Sequence, residues 1–113
     1  MNHFNQLPEF EKEFSQLSRK YPSLIEDLEK LEKLISINPV GLGTNFVTIH
    51  HAPQVKIVKT RFACKSLRDR SIRIIYAYHE YITTFVHIEI YSKGDKDNED
   101  RERIKHYLKS VLK

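Results

Sequence analysis

The chain has 113 residues, of which 40% are apolar and 30% are charged, and its formal net charge is +4. This length predicts a single domain over residues 1–113 that buries its own core. One cysteine excludes an internal disulfide, and no apolar run approaches the roughly 20 residues of a membrane-spanning helix. The first residues form neither a basic nor an apolar leader, so the sequence predicts a cytoplasmic protein with no membrane partner.

Two amphipathic helices are predicted at the start of the chain. Pro8 suits the first turn of one helix, and Ser23 is predicted to cap the next. Pro22 separates the two helices, and Asn38 with Pro39 ends the second. Apolar residues recur at helical spacing in both, at Phe10, Phe14, Leu17 and Tyr21, and at Leu24, Leu28, Leu31 and Ile35. The short connection predicts an antiparallel helical hairpin.

Four strands and a third helix are predicted in the remainder. β-Branched and aromatic residues are concentrated in the segments 46–49, 55–64, 71–79 and 82–92. A helix is predicted to begin at Asp97 or Asn98, with an apolar stripe at Ile104, Tyr107, Leu108, Val111 and Leu112. This order predicts an α+β fold. An N-terminal helical hairpin packs on a three- to four-stranded, mainly antiparallel sheet, and a C-terminal helix follows.

Positive charge is concentrated between Val55 and Ile75. Seven basic residues lie there with a single acid, Asp69, and they are Lys56, Lys59, Arg61, Lys65, Arg68, Arg70 and Arg73. A local excess of this kind attracts a phosphate backbone. The sequence therefore predicts RNA binding by this cluster, and the alternative is an ordinary set of solvated charges.

Alternation along the strands assigns the side chains to faces of the sheet. We place Ile72, Ile74, Tyr76 and Tyr78 with Val86, Ile88 and Ile90 on a helix-covered face. This register requires a connection with an odd number of residues near Glu80 and Tyr81. A bulge near Val58 would bring Lys56 to the open face, whereas an edge strand guarded by lysines is the alternative.

The predicted open face collects Lys59, Arg61, Arg73, His87, Glu89, Tyr91 and Lys93. Such a set can cleave RNA without a metal or cofactor: a base takes the 2′-hydroxyl proton, an acid protonates the leaving 5′-oxygen, and cations stabilise the phosphoryl charge. His87 or Glu89 is the candidate base, and His87 is preferred because a neighbouring arginine lowers a carboxyl pKa. His87 or Tyr91 is the candidate acid, while Arg73 and Lys93 stabilise charge. A structural Glu–Arg pair and an ordinary strand histidine are the alternatives.

Other polar groups suggest no metal site. His50 and His51 are adjacent, so on a strand they point to opposite faces and chelate poorly. The acidic run Asp95–Asp100 lacks the glycine and terminal glutamate of a calcium loop, and helix capping explains it better. Cys64 is predicted to be a small buried residue rather than a nucleophile.

Three segments resemble the RelE/ParE toxin superfamily of bacterial and archaeal toxin–antitoxin modules. They are PEFEKEFSQLSRKYPSLIEDLEKLEKLI at residues 8–35, VKIVKTRFACKSLRDRSIRIIYAYHE at 55–80, and FVHIEIYSKGDKDNEDRERIKHYLK at 85–109. The last two resemble the ParE-like branch most closely. The resemblance implies a small toxin that a cognate antitoxin neutralises in a hetero-oligomer. RelE-like members cut mRNA in the ribosomal A site, whereas ParE-like members poison DNA gyrase.

The resemblance also implies roles for single residues. Arg73 matches an arginine that is catalytic in RelE-like nucleases, and Lys56 or Lys59 falls on the strand where they carry basic residues. Lys93 lies near a basic site of the family at the end of the last strand. Departures follow it: Gly94 and Asp95 replace basic residues of many active toxins, and Asp100 stands near the position of a tyrosine in some. Tyr91 and His87 are hypothesised to substitute.

The resemblance therefore predicts the toxin of a type II module, acting with the ribosome as a metal-independent mRNA endonuclease. A ParE-like gyrase inhibitor and a catalytically inactive homologue that still binds antitoxin are the alternatives. An antitoxin is expected to meet the apolar stripe of the third helix or to displace that helix.

Overall fold

The structure of the protein is a computed structural model that describes residues 3–67 and 69–111, without the side chains of Asp69 and Arg70. In chain order the elements are β1 (His3–Gln6), α1 (Pro8–Lys20), α2 (Leu24–Ile37), β2 (Phe46–His51), β3 (Val55–Cys64), β4 (Asp69–His79), β5 (Thr84–Ser92) and α3 (Arg101–Val111). The predictions for Arg68, for Leu112 and for the Arg70 side chain fall outside the described residues. None of the described helices is long and apolar enough to cross a membrane.

The strands form one sheet in the order β1-β5-β4-β3-β2. The pairs β2–β3, β3–β4 and β4–β5 are antiparallel, and β1 lies parallel to β5 at the edge. The predicted α+β class, helical hairpin and C-terminal helix are confirmed. The sheet has five strands in the described chain rather than three or four, because four residues before Pro8 add an edge strand too short to show a periodic pattern.

The hairpin of α1 and α2 packs on one face of the sheet. Pro8 occupies the first turn of α1, acidic residues lie in that turn, and basic residues lie in the last, as the helix dipole favours. Ser23 does not cap α2 as predicted. Its hydroxyl donates to Asp27 at 2.7 Å and accepts the Ser66 amide at 2.8 Å. Ser23 therefore ties the turn of the hairpin to the turn between β3 and β4.

Both faces of the sheet carry a core, and α3 supplies the second. Phe10 and Leu24 from the hairpin are buried with strand residues that include Ile72 and Ile74. On the opposite face, Ile104 and Tyr107 of α3 are buried against strand residues, which are Val55, Ile57, Ile75, Ala77 and Ile88. α3 covers the part of this face near those residues, so the predicted open face is only partly open.

The register between β4 and β5 differs from the prediction. Four residues, Glu80–Thr83, join His79 to Thr84, and Thr83 adopts a positive φ of 44°. Ile75 pairs with Glu89 whereas Tyr76 pairs with His87, which leaves Ile88 as a bulge. The predicted odd-numbered connection is wrong. The bulge reverses the alternation partway along β5. Odd-numbered residues before Ile88 therefore face the helical hairpin, whereas odd-numbered residues after it face α3.

The bulge expected near Val58 lies instead in the neighbouring strand. β3 pairs with β4 without interruption from Val55 to Phe62, and the irregularity falls in β2 between Thr48 and His50. Lys56 therefore keeps the opposite orientation to Lys59 along β3. It stays outside the face that carries Lys59 and Arg61.

α3 begins later than predicted. Its first residue is Arg101, and the Asp100 carboxylate accepts the Arg103 amide at 3.1 Å. Asp100 therefore acts as the N-terminal cap, and the segment between β5 and α3 is free to fold back over the sheet.

Candidate anion site on the sheet

A row of three polar side chains crosses the face of the sheet beside α3. Arg61 on β3 pairs with Arg73 on β4, and Arg73 pairs with Tyr91 on β5. Residues opposite one another in such ladders lie about 5 Å apart between Cα atoms and share a face. Arg61 is exposed, Arg73 is half-buried and Tyr91 is buried. The row therefore presents two guanidinium groups and a phenol on neighbouring strands.

Lys59 adjoins this row, two residues before Arg61 on the same face of β3. Its ammonium donates to a carboxylate oxygen of Glu99 at 2.8 Å. This hydrogen bond raises the pKa of Lys59 above its usual 10.5, although burial opposes the change. Lys59 is thus a fixed cation at neutral pH, which suits charge stabilisation and not proton uptake.

Tyr91 lies beneath these charges. Its hydroxyl is buried and close enough to the Lys59 ammonium for the two groups to interact, and the Lys96 ammonium lies 5.5 Å from the centre of its ring. Burial raises the pKa of Tyr91, while the nearby Lys59 charge opposes it. The phenol therefore stays protonated at neutral pH and can act as a proton donor.

Glu89 lies on this face, but its carboxylate is engaged in contacts that stabilise the fold. It is fully buried, accepts the Asp100 amide at 2.7 Å, and forms an ion pair with Lys96. These contacts hold the start of α3 on β5. A carboxylate so occupied and shielded from water is poorly placed to take a proton from a ribose.

His87 lies on the opposite face, and the prediction that it shares a face with Arg73 is wrong. The bulge at Ile88 turns it toward the helical hairpin, where it is fully buried and its Nε2 lies 2.9 Å from a carboxylate oxygen of Glu32. Its ring stacks on Phe10 at 5.0 Å. Proton transfer at the row would need this imidazole to cross the sheet, so the structure separates it from the other candidates.

The remaining predicted residues are dispersed. Lys93 is exposed at the end of β5, and its ammonium donates to the Asp97 carbonyl at 3.1 Å. Lys65 is exposed in the turn after β3, where its amide donates to Asp27. Lys56 pairs with Glu80 at 3.1 Å, and its strand neighbour is Tyr78. The structure therefore brings together Lys59, Arg61, Arg73, Glu89 and Tyr91, with Lys93 at the margin.

Sequence reasoning missed Glu99. In the sequence, helix capping accounts for the whole Asp95–Asp100 run, and the composition of this run does not distinguish one acid from the next. Only the fold shows that Glu99 is 8% exposed and therefore buried, whereas Asp97 is exposed. Burial alone would raise the pKa of Glu99, but the hydrogen bond and charge of Lys59 outweigh it, so the pKa lies below 4.5.

A groove of about 390 Å³ beside α1 is lined by Tyr91 and Lys96, and two further grooves lie near the row. One of about 450 Å³ runs between α2 and β3, with apolar walls that include Leu31, Leu34 and Phe62 and with Arg61 at its margin. The other, of about 400 Å³, lies between β2 and α3 and shares Glu99 with the Lys59 contact. Within the part of the chain that the structure describes, no three His, Cys, Asp or Glu residues form a metal-binding group.

No family model matches the sequence, and no curated protein does. A solved structure does match: the crystal structure of the archaeal RelE–RelB complex from Pyrococcus horikoshii OT3 contains a chain with a TM-score of 0.64. The match covers 84% of this protein and 98% of that chain, at 9% sequence identity. This likeness confirms the predicted resemblance at the level of the fold. The protein has a RelE-like α+β fold.

Proposed function

We propose that this protein is the toxin of a type II toxin–antitoxin module and that it cleaves mRNA on the ribosome without a metal. The row Arg61–Arg73–Tyr91, with Lys59 beside it, is the observation that carries the proposal. Two guanidinium groups on adjacent strands match a phosphodiester, and arginine binds phosphate oxygens in a bidentate manner. The RelE-like fold supports the same activity by analogy.

The proposed reaction uses these side chains in separate roles. The ribose 2′-oxygen attacks the adjacent phosphorus, its proton passes to solvent, and the bond to the 5′-oxygen breaks. Arg61, Arg73 and Lys59 offset the charge that develops on the phosphoryl oxygens. Tyr91, kept protonated by burial, gives its proton to the leaving 5′-oxygen. The products are a 2′,3′-cyclic phosphate and a 5′-hydroxyl, and Lys93 binds a flanking phosphate.

Arg73→Ala tests this assignment directly. Cleavage of mRNA on programmed ribosomes should fall by at least about 100-fold, since removing one group that stabilises transition-state charge has effects of this size. Arg19→Ala removes the same charge from the exposed side of α1 and should leave cleavage unchanged. Intact mRNA and normal translation after induction of the wild-type protein would contradict the proposed reaction.

A second candidate function is inhibition of DNA gyrase without catalysis. The specific observation in its favour is that Glu99 and Glu89 neutralise Lys59 and Lys96, which lowers the positive charge available to RNA on this face. Supercoiling by purified gyrase in the presence of the protein separates the two functions. Unimpaired supercoiling would exclude this candidate.

We propose a cognate antitoxin as the protein partner, because the similar structure is that of a RelE–RelB complex. The apolar stripe of α3 is largely occupied, since Ile104 and Tyr107 pack on the sheet. Apolar groups are more accessible along the groove beside α2, where Leu34 is 45% and Leu42 is 71% exposed. We therefore place the antitoxin there. Relief of growth arrest by a small acidic protein from the neighbouring reading frame would establish the module.

A further inference from the structure

Glu99 occupies a position that an anion would otherwise take. Its side chain is 3% exposed, and its carboxylate contacts the Lys59 ammonium at 2.8 Å and the Arg101 guanidinium at 3.3 Å. Lys59 is the cation next to Arg61 and Arg73 on this face of the sheet. The Glu99 carboxylate therefore lies on Lys59, beside the row of Arg61, Arg73 and Tyr91 that is proposed to bind phosphate.

The segment that carries Glu99 is anchored on both sides of the contact. Before it, the amides of Asp95 and Lys96 donate to the Ser92 carbonyl at 3.0 and 3.1 Å. After it, the Asp100 amide donates to Glu89, which also pairs with Lys96. The backbone on either side is thus held to β5, and the Glu99 side chain can leave Lys59 by rotation without unfolding of the segment.

A phosphate oxygen and the Glu99 carboxylate cannot both take the same hydrogen-bonding position on Lys59, because like charges at this distance repel strongly. We propose that Glu99 is a displaceable anion in the phosphate site and so determines which ligands reach Lys59. A ligand gains Lys59 only if its contacts with Arg61 and Arg73 offset the loss of the internal ion pair. Displacement also opens the way to the buried Tyr91 hydroxyl, which lies beside the Lys59 ammonium.

This inference rests on the proposed function only for the identity of the ligand, a single-stranded phosphodiester. Competition with the buried Glu99 carboxylate for Lys59 applies equally to any oxyanion of similar size. Pyrophosphate therefore serves as a probe that does not depend on RNA cleavage, and a 12-nucleotide oligouridine serves as the RNA probe.

Glu99→Gln keeps the shape of the side chain and removes its charge. We expect this variant to bind both probes about fivefold more tightly, the upper range for one partly exposed ion pair. The dependence of oligouridine binding on salt should steepen by about 0.7 in log–log slope, because Lys59 is no longer neutralised by Glu99 and its phosphate contact then adds one net counterion released from a single strand. Asp97→Asn is the matched control: it removes one charge from the exposed part of the same segment and should change binding less than twofold. Adding Lys59→Gln to Glu99→Gln should abolish the gain.

Equal gains in Glu99→Gln and Asp97→Asn would show a long-range charge effect and overturn the proposal. Weaker binding by Glu99→Gln would show that Glu99 positions Lys59 for the ligand, which also overturns it. The wild-type protein gives an independent measurement if the variant fails to fold: the ¹³C resonance of the Glu99 carboxylate should shift as pyrophosphate binds. An unchanged resonance, or no pyrophosphate binding, rejects the displaceable anion. Tighter pyrophosphate binding by Glu99→Gln without RNA cleavage would support it and reject only the nuclease.

Discussion

His79 is a titratable residue whose environment in the fold opposes its charged form. It lies at the end of β4, and its Nε2 forms a hydrogen bond with the hydroxyl of Tyr107 on α3. Burial lowers the pKa of His79 below 6.5 and raises the pKa of Tyr107 to about 12. The folded protein therefore favours neutral imidazole and a protonated phenol at this contact between sheet and helix.

Acid should destabilise this contact. As the pH falls through 6.5, the unfolded chain binds a proton at His79 before the folded protein does, so the free energy of unfolding decreases. We expect His79→Gln to lose less stability than the wild type between pH 7.5 and pH 5, as measured by urea denaturation. His106→Gln is the control, since His106 is an exposed histidine on α3 next to Tyr107. Parallel pH profiles for wild type and His79→Gln would contradict this prediction.

Beyond the end of β1, side chains and not a neighbouring strand form the hydrogen bonds with the backbone at the outer edge of β5. β1 pairs with β5 only as far as His87, and the Leu7 amide adds one bond to the His87 carbonyl. Beyond that point, Arg103 donates to the Ile88 carbonyl at 2.8 Å, and the Ile90 amide donates to Glu13 at 3.3 Å. Arg103 also donates to both carboxylate oxygens of Glu13. This ion pair satisfies the strand edge and joins α1 to α3 across it.

Arg103→Ala should destabilise the fold by about 2–3 kcal/mol, because it leaves the Glu13 charge and the Ile88 carbonyl without their partner in a largely shielded place. Chemical denaturation measures this change. Arg101→Ala, two residues earlier and 84% exposed, should change stability by less than about 1 kcal/mol. The double variant Glu13→Ala with Arg103→Ala should be less destabilised than the sum of the single variants, and strict additivity would refute the coupling.

Across the whole molecule, folding divides the basic segment of residues 55–75 between surfaces. Lys59, Arg61 and Arg73 share one face of the sheet, whereas Lys56 lies on the other and pairs with Glu80. The net charge of the segment therefore exceeds the positive charge that a single ligand can contact on one face. Two substitutions that each remove one positive charge from β3 should therefore have unequal effects on RNA binding.

Arg61→Ala should weaken oligouridine binding about fivefold and reduce the salt dependence by about 0.7 in log–log slope, since one phosphate contact is lost. Lys56→Ala should change both by little, because its side chain points away from the row. Fluorescence anisotropy at several salt concentrations measures both quantities. Equal effects of the two variants would mean that total charge, and not the shared face, governs binding.

The amino-acid sequence by itself determined the α+β class, the helical hairpin and the two antiparallel strands that carry the basic cluster, because these follow from local periodicity and turn chemistry. Arg61, Arg73 and Tyr91 were placed on one face by alternation alone. Tertiary structure decided the rest. A single bulge at Ile88 moved His87 to the opposite face, and a contact between residues forty positions apart placed Glu99 on Lys59. Neither a one-residue irregularity nor a long-range ion pair leaves a periodic signal, since both depend on how the strands meet and how a loop returns to the sheet.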